Sequence, residues 1–162
     1  MTGKERARRV AVAVAVPAAP WAPHAARTLV RRTVDAALRG ADAGADDGAG
    51  GDCAGGDCAD VAEAVADAEL AVSELVTNAL RHGGPPVRLR LRVAGNSLRI
   101  EVQDGGSGSP VLRGPDPDAV SGRGLALVQA VSQEWGVRTA RPGKIVHATI
   151  RLEGPVAGPA AA

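Results

Sequence analysis

The first apolar pattern along the chain is a strict alternation in residues 9–16, RVAVAVAV, where Val takes every second position. Side chains of a strand point alternately to its two faces. The pattern therefore predicts a first strand whose Val side faces inward. Pro17 and Pro20 follow, and they end the strand because proline lacks the N–H that a sheet ladder requires.

Two helices are predicted next, because apolar residues recur there at intervals of three and four positions. The first runs from Pro23 to Leu38, with Gly40 as its C-terminal cap. The second runs from about Asp60 to His82 and is ended by the sequence GGPP at 83–86. Its apolar stripe consists of Val61, Val65, Ala68, Val72, Leu75, Val76 and Ala79.

The second half of the chain predicts two hairpins separated by a loop and a short helix. Residues 87–93 and 98–103 alternate strictly around a turn at 94–97, which is typical of an antiparallel hairpin. After a Gly-, Pro- and Asp-rich loop at 104–124, a third helix is indicated that ends at Gly136. Its apolar positions are Leu125, Val128, Val131 and Trp135. The final hairpin is predicted from strands 137–140 and 145–152.

This order of elements predicts an α+β fold, with one mixed five-stranded sheet covered on one face by three helices. Segregated strands and helices bury their apolar faces most simply as two layers. The other sheet face carries Arg88, Arg90, Arg92, Arg99 and Glu101. We expect this face to be solvated, and a partner-binding surface is the alternative.

The length of 162 residues predicts one domain. Residues 9–152 form that domain, and residues 1–8 and 153–162 are expected to be disordered ends. Residues 40–59 consist almost wholly of Gly, Ala, Asp and Cys, so they predict a flexible insertion. Cys53 and Cys58 lie in it, where a solvated linker is favoured over a metal site that lacks further ligands. A reversible disulfide across the insertion is the alternative.

Charge and composition exclude several classes of partner. The formal net charge is +1, from 19 basic and 18 acidic side chains, so no global field attracts nucleic acid or an anionic membrane. The chain has no Phe or Tyr and only two Trp, so it cannot build stacking platforms for nucleic acid. The apolar stretch 10–16 is far shorter than the roughly 20 residues of a spanning helix. We therefore expect a cytoplasmic protein with no membrane segment and no direct contact with nucleic acid.

Glu74 and Asn78 are the first candidate site residues. They lie one turn apart on the second predicted helix, about 40° from each other around its axis. Their shared face is directed away from the apolar stripe, so both side chains can point into a pocket. This pair by itself is also typical of a solvated helix face.

A second element follows the strand 98–103. Asp104 stands at the end of that strand and is followed by GGSG at 105–108, which together form a D-x-G-x-G loop. A carboxylate beside backbone without side chains can accept a hydrogen bond from an exocyclic amine. An ordinary turn is the alternative for this loop.

A third element, SGRGL at 121–125, directly precedes the third predicted helix. Exposed N–H groups at a helix start, with glycines that allow close approach, are suited to bind phosphate. A Rossmann fingerprint is excluded because Leu127 occupies the last glycine position. A P-loop is excluded because Gly3-Lys4 and Gly143-Lys144 are not followed by Ser or Thr.

In this order and spacing, the three elements resemble the GHKL ATP-binding superfamily, whose fold is the two-layer Bergerat sandwich. The N-box corresponds to 74–83, the first glycine box to 104–108, and the second glycine box to 122–124. The run SELVTNALRHG at 73–83 and the short chain look most like the anti-sigma factor serine/threonine kinases of Gram-positive bacteria. The resemblance covers roughly residues 9–152.

The resemblance implies a role for each matching residue. Asn78 would coordinate Mg²⁺, Glu74 would be the catalytic general base, and Asp104 would accept from the adenine amine of ATP. Residues 109–121 would form a mobile lid. Further nucleotide contacts are implied for Gly106, Gly108, Gly122, Arg123, Gly124 and Leu125.

Two residues at the end of the N-box leave alternatives open. Arg81 falls near the Glu74 side of the helix, so it is a candidate phosphate contact. His82 is either a nucleotide contact or a C-terminal capping residue. His24 and His147 are interpreted as structural or exposed.

The resemblance implies a protein kinase that binds a sigma factor and phosphorylates a serine of an anti-sigma antagonist, and it implies homodimerisation. A nucleotide-gated module that holds a partner without phosphorylating it is the second hypothesis. A structural domain without nucleotide is the third. Retention of both Glu74 and Asn78 favours the kinase.

Overall fold

Five strands and three helices make up the described part of the protein, a computed structural model in which residues 9–42, 57–106 and 124–152 are described. In chain order they are β1 (Arg9–Val16), α1 (Ala22–Asp42), α2 (Asp57–Asn78), a π turn (Ala79–Gly83), β2 (Val87–Ala94), β3 (Ser97–Asp104), α3 (Gly124–Val131), β4 (Glu134–Thr139) and β5 (Lys144–Arg151). The predicted α+β class is confirmed. The predicted ends 1–8 and 153–162 and the predicted lid 109–121 lie outside the described residues.

The strands form one sheet in the order β1-β2-β3-β5-β4, and every neighbouring pair is antiparallel. The sheet is therefore entirely antiparallel, whereas the sequence had predicted a mixed sheet. Strands β3 and β4 do run in the same direction, with α3 connecting them, but β5 lies between them. No parallel ladder forms among the described strands because strands that run in the same direction are never neighbours.

Alternation in the central strands separates an apolar face from a charged one. In β2, Leu89 and Leu91 are buried, whereas Arg88, Arg90 and Arg92 between and beside them are exposed. The helices pack on the apolar face, where Val30, Val34, Val72, Leu75 and Val76 are each at most 2% exposed. A two-layer sandwich with an aliphatic core results, and its outer sheet face is charged.

Strand β1 follows its predicted orientation only in part. Val12 lies opposite Leu91, so the Val side shares the apolar face of the sheet. However, β1 is an edge strand with one neighbour, and Val14 on that side is 37% exposed. Burial at a sheet edge depends on what covers the edge from outside the sheet. The alternation of Val and Ala in the sequence gives no information about such a cover.

The first two helices pack against each other and are longer than predicted. Arg31 of α1 forms a two-point ion pair with Glu69 of α2, with Nη2 and Oε2 at 2.9 Å. Helix α1 continues through Gly40 to Asp42, since glycine inside a helix costs only about 1 kcal/mol relative to alanine. Helix α2 begins at Asp57, so both ends of the predicted insertion 40–59 are helical. Residues 43–56, including Cys53, lie outside the described residues.

The third helix is shorter than predicted, and Trp135 belongs to β4. The Ser132 hydroxyl donates to the carbonyl of Val128 at 2.6 Å. The Gln133 N–H then donates to the carbonyl of Thr149 at 2.9 Å, which draws the chain into the sheet. Trp135 still packs against the core, but from a strand. Its spacing from Val131 matched a helical period although the two residues lie in different elements.

The outer face of the sheet holds a small charged cluster around Glu101. Its carboxylate accepts hydrogen bonds from Arg99 at 3.3 Å and from Arg138 at 3.2 Å. Burial acts to raise the pKa of Glu101, but the two arginines outweigh burial and the pKa is lowered. His147 lies directly opposite Glu101 on β5, and its side chain is 12% exposed.

None of the described helices is long and apolar enough to cross a bilayer.

Replacing Leu91 with alanine tests the assignment of the buried sheet face. We expect Leu91→Ala to lower the free energy of unfolding by about 2–5 kcal/mol, because it removes a fully buried side chain and leaves a cavity. The neighbouring Arg90→Ala on the exposed face serves as the control and should change the free energy by about 0.5 kcal/mol or less. Urea denaturation measures both, and equal costs would contradict the assignment.

His147 predicts an acidic loss of stability. Burial first, and then the charge of Arg99, lower the pKa of His147, and its Nδ1 has no hydrogen-bond partner among the described residues. Below about pH 6.5 the unfolded chain therefore binds a proton that the folded chain resists, and stability falls as the pH falls. We expect His147→Gln to flatten the unfolding free energy between pH 7.5 and 5. His24→Gln, at an exposed position of α1, is the control. If the unfolding free energy of His147→Gln changes with pH as steeply as that of the wild type, His147 is not the cause of the acidic loss of stability.

Candidate functional site

Glu74 and Asn78 meet the first residue of α3. A Cβ atom built on Gly124 would overlap Oε2 of Glu74 and would lie 3.7 Å from Nδ2 of Asn78. Both polar side chains are partly buried, so the alternative of a solvated helix face does not apply to them. A side chain larger than hydrogen at position 124 would have to displace the carboxylate. The N-terminus of α3 therefore lies directly beside the polar face of α2.

The last turn of the N-box helix widens into the π turn Ala79–Gly83, where the N–H of Gly84 donates to the carbonyl of Ala79 at 3.3 Å. Such turns are rare in helices and occur frequently at functional sites. Ala79 is buried, whereas Arg81 and His82 are both exposed. The wider turn changes the angular position of residues after Ala79, so a regular helical wheel does not locate Arg81 reliably relative to Glu74.

Asp104 is the most deeply buried of the charged side chains in the described residues, with 1% of its surface exposed. Its Oδ1 accepts hydrogen bonds from the N–H of Gly106 and from Nζ of Lys144, each at 2.9 Å. Gly83 of the π turn lies against the same carboxyl group, and a Cβ there would lie 2.7 Å from Oδ1. The carboxylate is thus held by the loop after β3, by β5 and by the end of the N-box.

The first glycine box is attached to the end of the N-box through the backbone. The N–H of Gly105 donates to the carbonyl of Gly84 at 2.8 Å. A Cβ at Gly106 would overlap the carbonyl oxygen of Gly83, so the two segments approach as closely as their backbones allow. This contact brings together two motifs that stand about 20 residues apart in sequence.

Lys144 contacts the predicted site residue Asp104, and sequence reasoning missed it. It is directly opposite Asp104 in the β3–β5 register, and its side chain is 12% exposed. The nearby turn is held by Gln103, whose Nε2 donates to the carbonyl of Pro142 at 3.0 Å. The one signal in the sequence was a lysine in the turn directly before the last predicted strand, 145–152. That signal has meaning only if β5 is known to pair with β3.

The predicted site residues thus fall into two groups at the same end of α2. One group is Glu74, Asn78 and Gly124, at the first turn of α3. The other group is Asp104 and Gly106, and two residues that were not predicted, Gly83 and Lys144, lie against Asp104. Leu125 packs its side chain against the core, so it anchors α3. Gly108, Gly122 and Arg123 lie outside the described residues.

This arrangement suits a ligand with two different ends. A helix N-terminus with a neighbouring amide and carboxylate can bind an anionic group together with a hard cation. A buried carboxylate that faces glycine backbone can accept from a planar, amine-bearing group. The geometry therefore favours a molecule that is charged at one end and planar at the other.

Comparison with known proteins agrees with this description. The family model of the histidine kinase-like ATPase domain matches residues 6–150. No curated protein matches the chain. The fold is similar to the structure of the RsbU and RsbW domains of Rv1364c from Mycobacterium tuberculosis, with a TM-score of 0.58 and 21% identity. That similarity covers 90% of this chain and 33% of the other, so this chain spans about a third of that structure.

Two structures of the blue-light activated histidine kinase EL346 from Erythrobacter litoralis share shorter segments with the chain. Each is 33% identical over 56% of this chain, with TM-scores of 0.43 for the kinase and 0.42 for its histidine kinase domain. The segments cover 31% and 45% of those chains.

The close contact between Gly83 and Asp104 is testable by a double-mutant cycle. We expect Gly83→Ala to cost about 1–3 kcal/mol of unfolding free energy, because its methyl group overlaps a carboxyl group that Lys144 holds in place. In an Asp104→Gly background the overlapping carboxyl group and the Cβ atom of residue 104 are both absent, so the same substitution should cost markedly less.

Gly95→Ala is the matched control for that cycle. Gly95 has φ of +58° and no neighbour within 4 Å of a Cβ, so alanine there costs about 1–2 kcal/mol through backbone strain alone. This cost should be the same in both backgrounds. An equal cost of Gly83→Ala in both backgrounds would show that the two residues are not in contact.

Proposed function

Because the chain belongs to the histidine kinase-like ATPase family, we propose that it binds ATP with Mg²⁺ and phosphorylates a serine or threonine of an anti-sigma antagonist protein. The observation that carries the proposal is the contact of Glu74 and Asn78 with the start of α3. It places a carboxylate and an amide beside the N–H groups that are suited to hold phosphate.

The phosphate end of ATP is assigned to the first turn of α3. Its free N–H groups and the helix dipole favour negative charge there. The Asn78 amide oxygen is a hard ligand suited to Mg²⁺, which when bound would neutralise phosphate charge. Among the described residues, no three His, Cys, Asp or Glu side chains gather into a metal site. Phosphate oxygens and water would supply further ligands, as Mg²⁺ prefers.

Glu74 is assigned as the general base. Its Oε2 lies at the backbone of Gly124, so it stands where the phosphate end of the nucleotide would be held. The acceptor hydroxyl attacks the γ-phosphorus in line, its proton passes to the Glu74 carboxylate, and the bond to the ADP oxygen breaks. Positioning and charge stabilisation supply most of the catalysis in such transfers.

The base end of ATP is assigned to the Asp104 group. The exocyclic amine of adenine donates to the Asp104 carboxylate, which is held in place by the N–H of Gly106 and packs against Gly83. The roles of Gly108, Gly122, Arg123 and the lid 109–121, like that of Arg81 at the phosphates, are further parts of this proposal. His82 is exposed at the end of the N-box and is proposed as a peripheral nucleotide contact.

The protein partners are proposed on the N-box run 73–83, which resembles anti-sigma factor kinases. The fold similarity to a structure that contains an RsbW domain supports the same assignment. We therefore propose a sigma factor and its antagonist as partners, a homodimer as the working assembly, and the cytoplasm as the location.

Substituting Glu74 tests the chemical step. We expect Glu74→Gln to lower phosphotransfer by about 10²–10⁴-fold, because an amide cannot take the proton, while Mg·ATP binding changes little. The measurement uses purified protein, labelled ATP and candidate antagonist proteins. Glu63→Gln, at an exposed position of the same helix, is the control and should transfer phosphate at the wild-type rate.

The phosphotransfer assay and the melting temperature measured with Mg·ATP together separate the competing hypotheses. Stabilisation by Mg·ATP without transfer to any antagonist would favour the nucleotide-gated binding module. If Mg·ATP does not raise the melting temperature of the wild-type protein, the structural domain without nucleotide is correct, since a ligand bound only by the folded state must stabilise it.

A further inference from the structure

The side chains of Lys144 and Asp104 lie next to each other on the helix-covered face of the sheet. In β3, the buried residues Leu98, Ile100 and Val102 alternate on that face, and Asp104 is the next position in the series. In β5, Lys144 begins the series that continues with Val146, Ala148 and Ile150. Since Asp104 and Lys144 are opposite each other in the register, both side chains stand on the side where α2 and the π turn pack.

The ion pair between them is almost completely buried. Nζ of Lys144 lies 2.9 Å from Oδ1 of Asp104, and the two side chains are 12% and 2% exposed. Removing two charges from water is costly, so a buried ion pair is often no more stabilising than apolar residues of the same volume. Aliphatic residues fill every neighbouring inward position of these strands. Stability alone therefore does not account for the pair.

The hydrogen bonds formed among the described residues leave further hydrogen-bonding capacity on both members of the pair. An ammonium has three N–H donors, and Asp104 takes one of them. A carboxylate offers about four lone-pair sites, and Gly106 and Lys144 occupy two of them, both on Oδ1. The pair thus presents an acceptor and a donor about one hydrogen-bond length apart. The edge of a six-membered base ring that carries a donor next to an acceptor has the complementary pattern.

We propose that Lys144 is a specificity-determining residue that donates a hydrogen bond to ring nitrogen N1 of adenine while Asp104 accepts from the neighbouring exocyclic amine. This inference rests on the proposed ATP site and specifies how its base end is recognised. A base with a carbonyl at C6 and an N1–H group, such as hypoxanthine, would make two unfavourable contacts in this pose. Its oxygen faces the carboxylate, and its N–H faces the ammonium.

A structural role for Lys144 makes a different prediction. An ion pair that only fastens the β4–β5 hairpin to the end of β3 is indifferent to the atom at position 1 of the base. Gln103 already fastens that hairpin through the carbonyl of Pro142. Sensitivity of binding to a single ring atom therefore distinguishes a base-reading lysine from a fastening one.

The test compares the binding of ATP and of 1-deaza-ATP, in which N1 is replaced by C–H. We expect wild-type protein to bind 1-deaza-ATP about 10- to 100-fold more weakly, the range for loss of one hydrogen bond to a charged group. Lys144→Met should bind ATP more weakly by a similar factor and should no longer distinguish the two nucleotides. Arg138→Met, on the outer face of the sheet, is the control and should bind both as wild type does.

Each other outcome overturns the inference. If wild-type protein binds ATP and 1-deaza-ATP equally, Lys144 does not read N1, although the proposed ATP site stands. If Lys144→Met binds ATP more tightly, the ion pair blocks the base end, and if its affinities match those of wild type, the pair is structural. If wild-type protein binds neither nucleotide, the proposed function itself has failed.

Thermal unfolding of each variant accompanies the binding data. Should Lys144→Met not fold, Lys144→Arg keeps the charge but moves the donors farther from the strand. It is expected to bind ATP more weakly and to distinguish the two nucleotides by less than about threefold. Discrimination equal to that of wild type in Lys144→Arg would overturn the assignment.

Discussion

The burial of the Asp104 carboxylate is the constraint on which the rest of this structure depends. A carboxylate with 1% exposure is stable only with donors in place, and here they come from the Gly106 N–H and from Lys144. To supply them, β5 must pair with β3 in one register, and the loop after β3 must turn back at once. Gly83 must also be a glycine, since a methyl group there would overlap the carboxyl group. One buried charge thereby determines how three separate segments meet.

The aliphatic core provides the rigid support that such a site requires. Helix α2 lies across the sheet through Val72, Leu75 and Val76, which are each at most 2% exposed. Glu74 stands between these residues in sequence, so its backbone position is set by packing on both sides of it. Sites built on packed helices and strands hold their geometry better than sites built on loops. Both polar groups of the site are carried in this way, one on α2 and the other at the end of β3.

The two ends of the site differ in how they are built. The proposed base end consists of strand ends, the π turn and a buried ion pair, and the sheet register fixes the strand ends and the ion pair. The proposed phosphate end uses the start of α3, which contacts α2 through Gly124 and Glu74. This division agrees with the proposed function, since a base is recognised best by a preorganised surface. Phosphate, in contrast, is bound by backbone N–H groups that need only a helix terminus.

The sequence by itself determined the local elements and most of the motif residues. Alternation located β2 and β3, helical spacing located the stripe of α2, and motif order identified the family that residues 6–150 match. These features are visible because the side-chain periods of 2.0 and 3.6 depend only on nearby positions. The placing of Glu74 and Asn78 away from the core followed from the same local rule.

Only the tertiary structure decided the pairings between distant segments. The ion pair of Asp104 and Lys144, the antiparallel order of all five strands and the strand position of Trp135 each depend on residues far apart in the chain. A period describes which face a residue takes, but not which strand lies beside it, since register is set by packing over the whole sheet. The π turn is a further case. Spacing alone predicts a regular helix end there, but the structure has a π turn, and the first glycine box packs closely against its Gly83.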